Sequence, residues 1–342
     1  MVILGASLSQ GFGAKPGWAA TVVASRTVPP ETTTEHCALF FFTNPTEKGT
    51  NLAAKAREDA PTLVLAVDFL FWFGYGAVDV NGGKLASEDG RLQLLERGLA
   101  ILEAFTCPLV IGDFPDASPA VGKILAPEQM PKPETLAALN ERVRLWATAR
   151  TNVIVLPLAD WMDRVRSGKP VRVGAHELGK EAIAGWLQED HLHPTTEGLL
   201  GLAMLLNESL INQGYLGHET AVDSPSEIRG KVAIALREQR KKQFGEMLAD
   251  FHREAEKHPE GSVERLETLG KGLVTLCRIY PEEPSAAEEL VRVLDQLPKD
   301  RASALAKMIN LSTVPAGVRE KLSDILGPEA VPDSRTAEAK QP

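Results

Sequence analysis

Short apolar runs alternate with amphipathic segments over the first two-thirds of the chain, and this alternation restricts the fold more than any other feature. Runs rich in Val, Ile, Leu and Phe predict five buried strands at Val2–Gly5, Cys37–Thr43, Thr62–Asp68, Pro108–Gly112 and Val153–Pro157. Apolar residues at three- and four-residue steps predict helices between them at Gly49–Glu58, Glu88–Ala104 and Pro133–Ala149. Strands that alternate with helices predict an α/β fold, in which a parallel sheet is covered by helices on both faces.

The composition changes beyond about Ser224, where Glu, Lys, Arg, Ala and Leu predominate and no strand pattern follows. Helices are predicted at Ile228–Lys257, Val263–Tyr280, Ala286–Leu297, Arg301–Ile309 and Gly317–Leu326. The final residues lack apolar content, which is typical of disorder. We therefore predict an α/β domain over residues 1–214, an all-helical region over residues 224–327 and a disordered tail over residues 328–342.

Charge and hydropathy restrict the possible partners. The 342 residues carry a formal net charge of −9, without the clustered Lys and Arg that nucleic-acid binding requires. The longest apolar stretch, Leu63–Gly76, is interrupted by Asp68 and is too short to span a membrane. The helical region 224–327 is expected to contact a partner protein or a second copy of the chain.

The start of the sequence assigns no compartment. The chain begins directly in the apolar run Val2–Gly5, without the charged region and cleavage site of a secretory signal. A strand that begins at the second residue is also consistent with a natural start farther upstream, which would leave room for an export signal. The localisation is therefore left unknown.

Two segments carry residues that are suited to nucleophilic chemistry. The first strand ends in Gly5-Ala6-Ser7-Leu8-Ser9, which places a serine hydroxyl at the carboxyl edge of the predicted sheet, where such folds bind ligands. A second segment, Asp190-His191-Leu192-His193-Pro194, precedes the predicted helix from Thr195 to about Asn212. With a spacing of three, Asp190 can accept the Nδ1–H of His193 and leave Nε2 to deprotonate a serine. His191 is the rival base, but it directly follows Asp190, so His193 is preferred.

Together these two blocks resemble the SGNH (GDSL-like) hydrolase family, in which a serine block closes the first strand and a DxxHP block precedes the final helix. The resemblance covers about residues 1–214. It implies a three-layer α/β/α, flavodoxin-like sandwich with serine esterase, lipase, thioesterase or carbohydrate-deacetylase chemistry. It also implies that Ser7 is the nucleophile, His193 the general base and Asp190 the carboxylate that orients it.

The resemblance further implies an oxyanion hole built from the serine amide, a glycine amide after the second strand and an asparagine side chain after the third. Here Asp68 stands at the asparagine position. An ionised Asp68 would repel an oxyanion, so we expect it either to be held protonated or to be replaced as a donor by Asn44, with the amide of Gly49 as a further candidate. Alternatively, Asp68 accepts hydrogen bonds from the Ser7 loop.

Two further segments are candidates for contacting substrate. The aromatic segment Phe69–Gly76 could line an acyl or sugar pocket through Phe69 and Trp72, or it could pack into the core. Asp113 follows the fourth predicted strand and faces the same edge of the sheet. Histidines at metal-ligand spacing and a nucleotide-binding glycine motif are missing from the sequence, so neither a metal nor a cofactor is expected.

The leading hypothesis is a serine ester hydrolase that acts through an acyl-enzyme on a small-molecule, lipid or carbohydrate ester. The alternative is a catalytically weak or inactive SGNH-like binding module whose helical extension contacts a partner, and Asp68 is the residue that favours it. A flavodoxin-like cofactor binder is a third possibility, but Ser7-Leu8-Ser9-Gln10 is a thin match to a phosphate-binding first loop.

Overall fold

The computed structural model describes residues 1–85, 87–173, 176–222, 224–311, 314 and 316–326. The predicted disordered tail, residues 328–342, lies outside the described residues. The chain forms two compact units, Met1–Ala235 and a second unit that begins at Leu236. The change in composition along the sequence instead predicted a domain boundary between residues 214 and 224.

Five strands form one sheet in the first unit. They are β1 (Val2–Gly5), β2 (Thr34–Cys37), β3 (Val64–Ala66), β4 (Leu109–Gly112) and β5 (Val153–Leu156). The strand order is β2-β1-β3-β4-β5, and every neighbouring pair is parallel. The predicted five-stranded parallel sheet is therefore confirmed. The chain leaves β1 and β3 towards opposite edges of the sheet, which opens a crevice at their carboxyl ends.

The position predicted for the second strand, Cys37–Thr43, is wrong. The strand is Thr34–Cys37, paired with β1 so that Thr34 lies opposite Val2. This strand is at the edge of the sheet and its side chains are partly exposed, so it lacks the apolar run by which a central strand is recognised. The apolar residues that suggested a strand instead include a short 3-10 helix, Phe41–Thr43, in which Phe41 is fully buried.

Eight helices and a small hairpin accompany the sheet in the described part of the first unit. The helices are α1 (Trp18–Ala24), α2 (Pro45–Glu58), α3 (Phe71–Gly74), α4 (Glu88–Leu102), α5 (Pro133–Thr148), α6 (Leu158–Ser167), α7 (Lys180–Ile183) and α8 (Thr196–Asn212). The hairpin pairs β6 (Val171–Val173) with β7 (His176–Leu178). The sequence pattern predicted α2, α4, α5 and α8. Helices α1, α3 and α7 and both strands of the hairpin were missed because each has seven residues or fewer, too short for a clear period. Helix α6, which has ten residues, was also missed.

The sheet is buried on both faces. Val2 and Leu4 of β1 share one core with side chains of α2, α4 and α5, such as Ala53 and Leu95. Ile3 points to the opposite face, because strand side chains alternate, and it is also fully buried. Helix α8 packs against β5 and α1. The helices cover the faces of the sheet, and the loops that carry the candidate residues lie at its carboxyl edge.

The remaining helices confirm the all-helical region predicted after the sheet. They are α9 (Pro225–Ala255), α10 (Val263–Ile279), α11 (Pro284–Leu294), α12 (Lys299–Ala306) and α13 (Ala316–Leu326). The boundary between the two compact units falls inside α9. The second unit has its own apolar core, in which Leu273, Leu290 and Leu322 are fully buried. Across the residues described, no helix combines the length and the apolar character needed to cross a membrane.

Candidate active site

Ser7 lies in a tight turn directly after β1. The turn closes with hydrogen bonds from the Gln10 amide to the Ala6 carbonyl and from the Phe12 amide to the Ser7 carbonyl, of 3.0 and 2.9 Å. The Ser7 amide donates to no described residue, so it can donate to a ligand. The Ser7 hydroxyl oxygen lies 2.8 Å from Nε2 of His193, 186 positions farther along the chain.

The segment before α8 holds His193 in one orientation. Oδ1 of Asp190 accepts the amides of Leu192 and His193, each at 2.9 Å, and Oδ2 lies 2.7 Å from Nδ1 of His193. An ionised Asp190 requires the proton on Nδ1, which leaves Nε2 to accept the hydrogen bond of the Ser7 hydroxyl. The His193 side chain is 5% exposed. The structure therefore brings together Ser7, His193 and Asp190 in a hydrogen-bonded chain.

Asp190 is held in its ionised form. Burial alone would raise the pKa of its carboxyl. Hydrogen bonds from the His193 ring and from the amides of Leu192 and His193 outweigh this effect and lower the pKa to about 2. Asp190 is therefore charged throughout the neutral range. A fixed negative charge at this position stabilises the positive charge that forms on His193 when the ring takes up a proton.

His191, the rival base, has a different place. Its backbone adopts a left-handed conformation, with φ of 59°, and its side chain is exposed. The carbonyl of His191 accepts a hydrogen bond of 2.7 Å from Arg166, which also donates to the Asp116 carbonyl in the loop after β4. The His191 ring makes no hydrogen bond with Ser7, and the turn at this residue allows Asp190 to face His193.

Two contacts that the sequence analysis missed connect the Ser7 turn to the His193 segment. Nε2 of Gln188 donates to the carbonyls of Phe12 and Pro194, both at 2.8 Å. The Phe12 ring also packs against the His193 ring, with centroids 4.6 Å apart. Gln188 and Phe12 belong to no recognisable motif, because their roles arise only when two distant loops meet.

Asp68 lies two residues beyond the end of β3 and accepts hydrogen bonds from the turn after β1. Its oxygens accept the amides of Ala6, Leu8 and Ser9, at 3.1, 2.8 and 3.3 Å, and the Ser9 hydroxyl at 2.5 Å. A side chain on Gly5 would place its Cβ 2.1 Å from an Asp68 oxygen, which explains the glycine at this position. Of the interpretations considered for Asp68, the structure agrees with the one in which it holds the Ser7 loop.

The other two suggested oxyanion donors do not reach Ser7. The Asn44 side chain caps α2, accepting the Glu47 amide and donating to the Glu47 carboxylate. Gly49 lies inside α2, where its Cα faces the rings of Phe41, Phe69 and Phe73. Both suggestions depended on the wrong second strand, because they assumed a strand that ends at Thr43. Among the groups considered, the Ser7 amide is the donor left at the site.

A pocket opens beside Ser7 and His193. Trp72 and Asp113 line it, as the sequence analysis expected. Phe69 does not: it is fully buried in the core, 5.4 Å from Phe41 between ring centroids. The aromatic segment is thus divided between pocket and core.

Asp113 is a structural as well as a lining residue. Burial raises the pKa of its carboxyl, and the hydrogen bond of 2.8 Å from the Ala159 amide, in the first turn of α6, reduces this rise.

The described residues contain no group of three His, Cys, Asp or Glu side chains that could hold a metal ion.

A serine hydroxyl, an imidazole and an ionised carboxylate in this order can transfer a proton away from the hydroxyl as it attacks an electrophile. The Ser7 amide donates to no described residue and could therefore donate to a negative charge that develops beside the hydroxyl. No protein-family model, curated protein or solved structure matches the chain. The geometry of Ser7, His193 and Asp190 therefore carries the functional argument.

Proposed function

We propose that the protein is a serine ester hydrolase of the SGNH (GDSL-like) type, which acts through an acyl-enzyme. The observation that carries the proposal is the pair of short contacts at His193, 2.8 Å from Ser7 and 2.7 Å from Asp190. The burial of His193 supports it further, because a shielded imidazole is held in one orientation and its hydrogen bonds are strengthened.

The fold supports the same assignment. The strand order β2-β1-β3-β4-β5 is that of flavodoxin-like doubly wound sheets, in which ligands bind where the connections diverge. Ser7 follows β1 next to this place, and the Asp190–His193 segment precedes α8. These placements are the ones that the SGNH resemblance implies within a three-layer sandwich.

In the proposed reaction the Ser7 hydroxyl attacks the ester carbonyl carbon while its proton passes to Nε2 of His193. The tetrahedral intermediate collapses as His193 returns the proton to the departing alcohol oxygen, which leaves an acyl group on Ser7. Water then attacks the acyl group while His193 takes one of its protons; His193 returns this proton to the Ser7 oxygen as the bond to the acyl carbon breaks, and the carboxylic acid is released. The Ser7 amide donates to the oxyanion in both steps.

A second candidate function is a catalytically weak binding module, and Asp68 favours it. This carboxylate lines the pocket but offers no N–H group to an oxyanion. Mutagenesis of other enzymes shows that loss of one such donor costs about 3–4 kcal/mol of transition-state stabilisation. Under this proposal Ser7 and His193 would contact a ligand without cleaving it.

Labelling with a fluorophosphonate separates the two functions. Hydrolase function requires that the wild-type protein is labelled at Ser7 and that Ser7→Ala and His193→Ala are not. The matched control is His191→Asn, because Asn tolerates the left-handed backbone and His191 does not contact Ser7. This control should be labelled like the wild type. A folded wild-type protein that takes no label would leave the binding module as the better account.

A further inference from the structure

The pocket beside Ser7 is small. The space in which the centre of a water-sized sphere can move is about 50 Å³. By this measure one water molecule needs about 10–15 Å³, so the pocket has room for about three to five non-hydrogen atoms. An acetyl or butyryl group fits this limit, whereas an octanoyl group has nearly twice as many atoms.

The walls of the pocket are supported from behind by further rings. Trp161 is stacked on the buried Trp186, with centroids 6.0 Å apart. Phe71 is stacked on Tyr75 at 4.3 Å, and Tyr75 is fully buried, with its hydroxyl donating to the Pro115 carbonyl. Widening the pocket at Trp161 or Phe71 would require repacking the ring behind it, so these two walls do not yield to a simple side-chain rotation.

The chemistry of the lining selects an uncharged group. The wall is mostly apolar, and the residues that form it include Val67, Trp72, Leu158, Trp161, Met162 and Leu202. Two carboxyl groups, Asp68 and Asp113, lie in the same wall, and none of the described residues that line it is a lysine or an arginine. An acyl group with its own carboxylate would be buried beside these two groups without a counter-charge, which is unfavourable.

We infer that this pocket holds the acyl part of the substrate, and that the acyl group is short and uncharged, in the range from acetyl to butyryl. The inference rests on the proposed function, since it takes Ser7 as the residue that bonds to the acyl carbon. Ser7, His193 and the apolar wall line one continuous space. A carbonyl carbon at Ser7 therefore directs its alkyl chain along that wall.

A series of p-nitrophenyl esters from acetate to octanoate tests the inference on the wild-type protein. We expect kcat/KM to be highest for acetate or butyrate and at least tenfold lower for octanoate, because methylenes that do not fit are rejected by such factors. A rate that stays level or rises up to octanoate would overturn the inference. The inference would also be overturned if the rate varies with the size of the alcohol in a series of acetate esters but does not vary with the acyl chain in the p-nitrophenyl series.

Met162→Ala supplies a second test. Met162 lines the pocket and is 5% exposed, so shortening its side chain to alanine enlarges the cavity. We expect the ratio of octanoate to acetate hydrolysis to rise at least tenfold. The control is Met204→Ala, since Met204 is similarly buried, at 4% exposed, but does not line the pocket. An unchanged ratio in Met162→Ala, or an equal rise in Met204→Ala, would count against the assignment.

The labelling experiment separates the two possible failures. If the fluorophosphonate labels Ser7 but the ester series prefers long chains, the hydrolase proposal stands and the short-acyl pocket is wrong. If the wild-type protein takes no label and hydrolyses none of the esters, the proposed function fails and this inference falls with it.

Discussion

Asp68 and Ser9 are joined by a hydrogen bond of 2.5 Å from the Ser9 hydroxyl to the Asp68 carboxylate. The same carboxylate accepts three amides from the turn that holds Ser7. Four donors directed at one carboxylate compensate its charge and tie the end of β3 to the turn after β1. The residue at the expected asparagine position thus holds the turn that carries Ser7, and in the proposed reaction the Ser7 amide remains as the oxyanion donor.

Asp68→Asn should therefore weaken the protein and not restore a missing donor. An asparagine keeps one accepting oxygen, and its NH₂ group would face the donors that the second oxygen of Asp68 accepts. We expect the free energy of unfolding to fall by about 1–3 kcal/mol, and labelling of Ser7 to slow. Urea denaturation and the labelling rate measure the two effects.

The control for this change is Asp79→Asn, because Asp79 is a carboxylate that accepts backbone amides of an exposed turn, from Asn81 and Gly83. It should show a smaller loss of stability and normal labelling. An Asp68→Asn protein that is as stable as the wild type and is labelled faster would contradict the role given to Asp68.

Asp190→Asn should change how stability depends on pH. The pKa of Asp190 is lowered to about 2 in the folded protein, so its contribution is fully present above the unfolded pKa of about 4 and is lost as the pH falls to about 2. We expect the difference in unfolding free energy between wild type and variant to narrow by about 1–2 kcal/mol from about pH 5 to about pH 2. Chemical denaturation at several pH values measures it.

Asp163→Asn provides the comparison, since Asp163 is exposed and paired with Lys169 at 2.9 Å. Solvent screens such a pair, so its removal should leave the pH dependence nearly unchanged. If the difference in unfolding free energy between the wild type and Asp190→Asn stays constant from about pH 5 to about pH 2, the ionised carboxylate does not stabilise the fold as described.

Gln188→Glu tests whether the bridge between the two loops positions His193. Glutamate has the same shape but replaces the NH₂ group that donates to Phe12 and Pro194, so a carboxylate would face two carbonyl oxygens. We expect kcat to fall by roughly tenfold with little change in KM for a small ester, because the change acts on the reacting groups and not on substrate contacts. Steady-state kinetics with p-nitrophenyl acetate measures this.

Gln213→Glu, at the exposed end of α8, serves as the control and should retain wild-type kinetics. An unaltered kcat in Gln188→Glu would show that the loops hold their geometry without this bridge.

Gly112→Ala should destabilise the protein at the wall of the pocket. A Cβ at this position would lie 2.3 Å from a Leu158 methyl carbon and 2.4 Å from the Val67 carbonyl oxygen, which belongs to the backbone. We expect a loss of about 1–3 kcal/mol in unfolding free energy, as overpacking in a core typically causes. Gly179→Ala meets no atom within 4 Å and should be neutral or slightly stabilising in the same denaturation assay.

The sequence predicted the parts of this fold that have a strong local pattern. Strands β1, β4 and β5 are apolar runs, and their predicted and observed limits agree within one residue. Strand β2 was missed because its sequence, Thr34-Glu35-His36-Cys37, has no apolar period, whereas the other edge strand, β5, is an apolar run. The neighbouring run of phenylalanines was mistaken for it, and the suggested roles of Asn44 and Gly49 were wrong for the same reason.

The candidate site was likewise predicted only where its residues stand in a local sequence pattern. Ser7 and His193 could be selected because each stands in a short motif at a predicted structural boundary. Asp68 had two opposed interpretations, since the sequence does not say which donors surround a carboxylate. Gln188, Arg166 and Phe12 could not be found, because each acts through a backbone carbonyl or a ring that lies far away in the chain.

The distance of 186 positions between the two groups that touch at the site has a consequence for biosynthesis. Ser7 is translated well before its partner, His193, which leaves the ribosome only after every strand of the five-stranded sheet has been translated. A nascent or prematurely terminated chain that ends before residue 193 therefore holds an unactivated hydroxyl. Activation of this serine by His193 is therefore expected only in molecules whose five-stranded sheet has been completed.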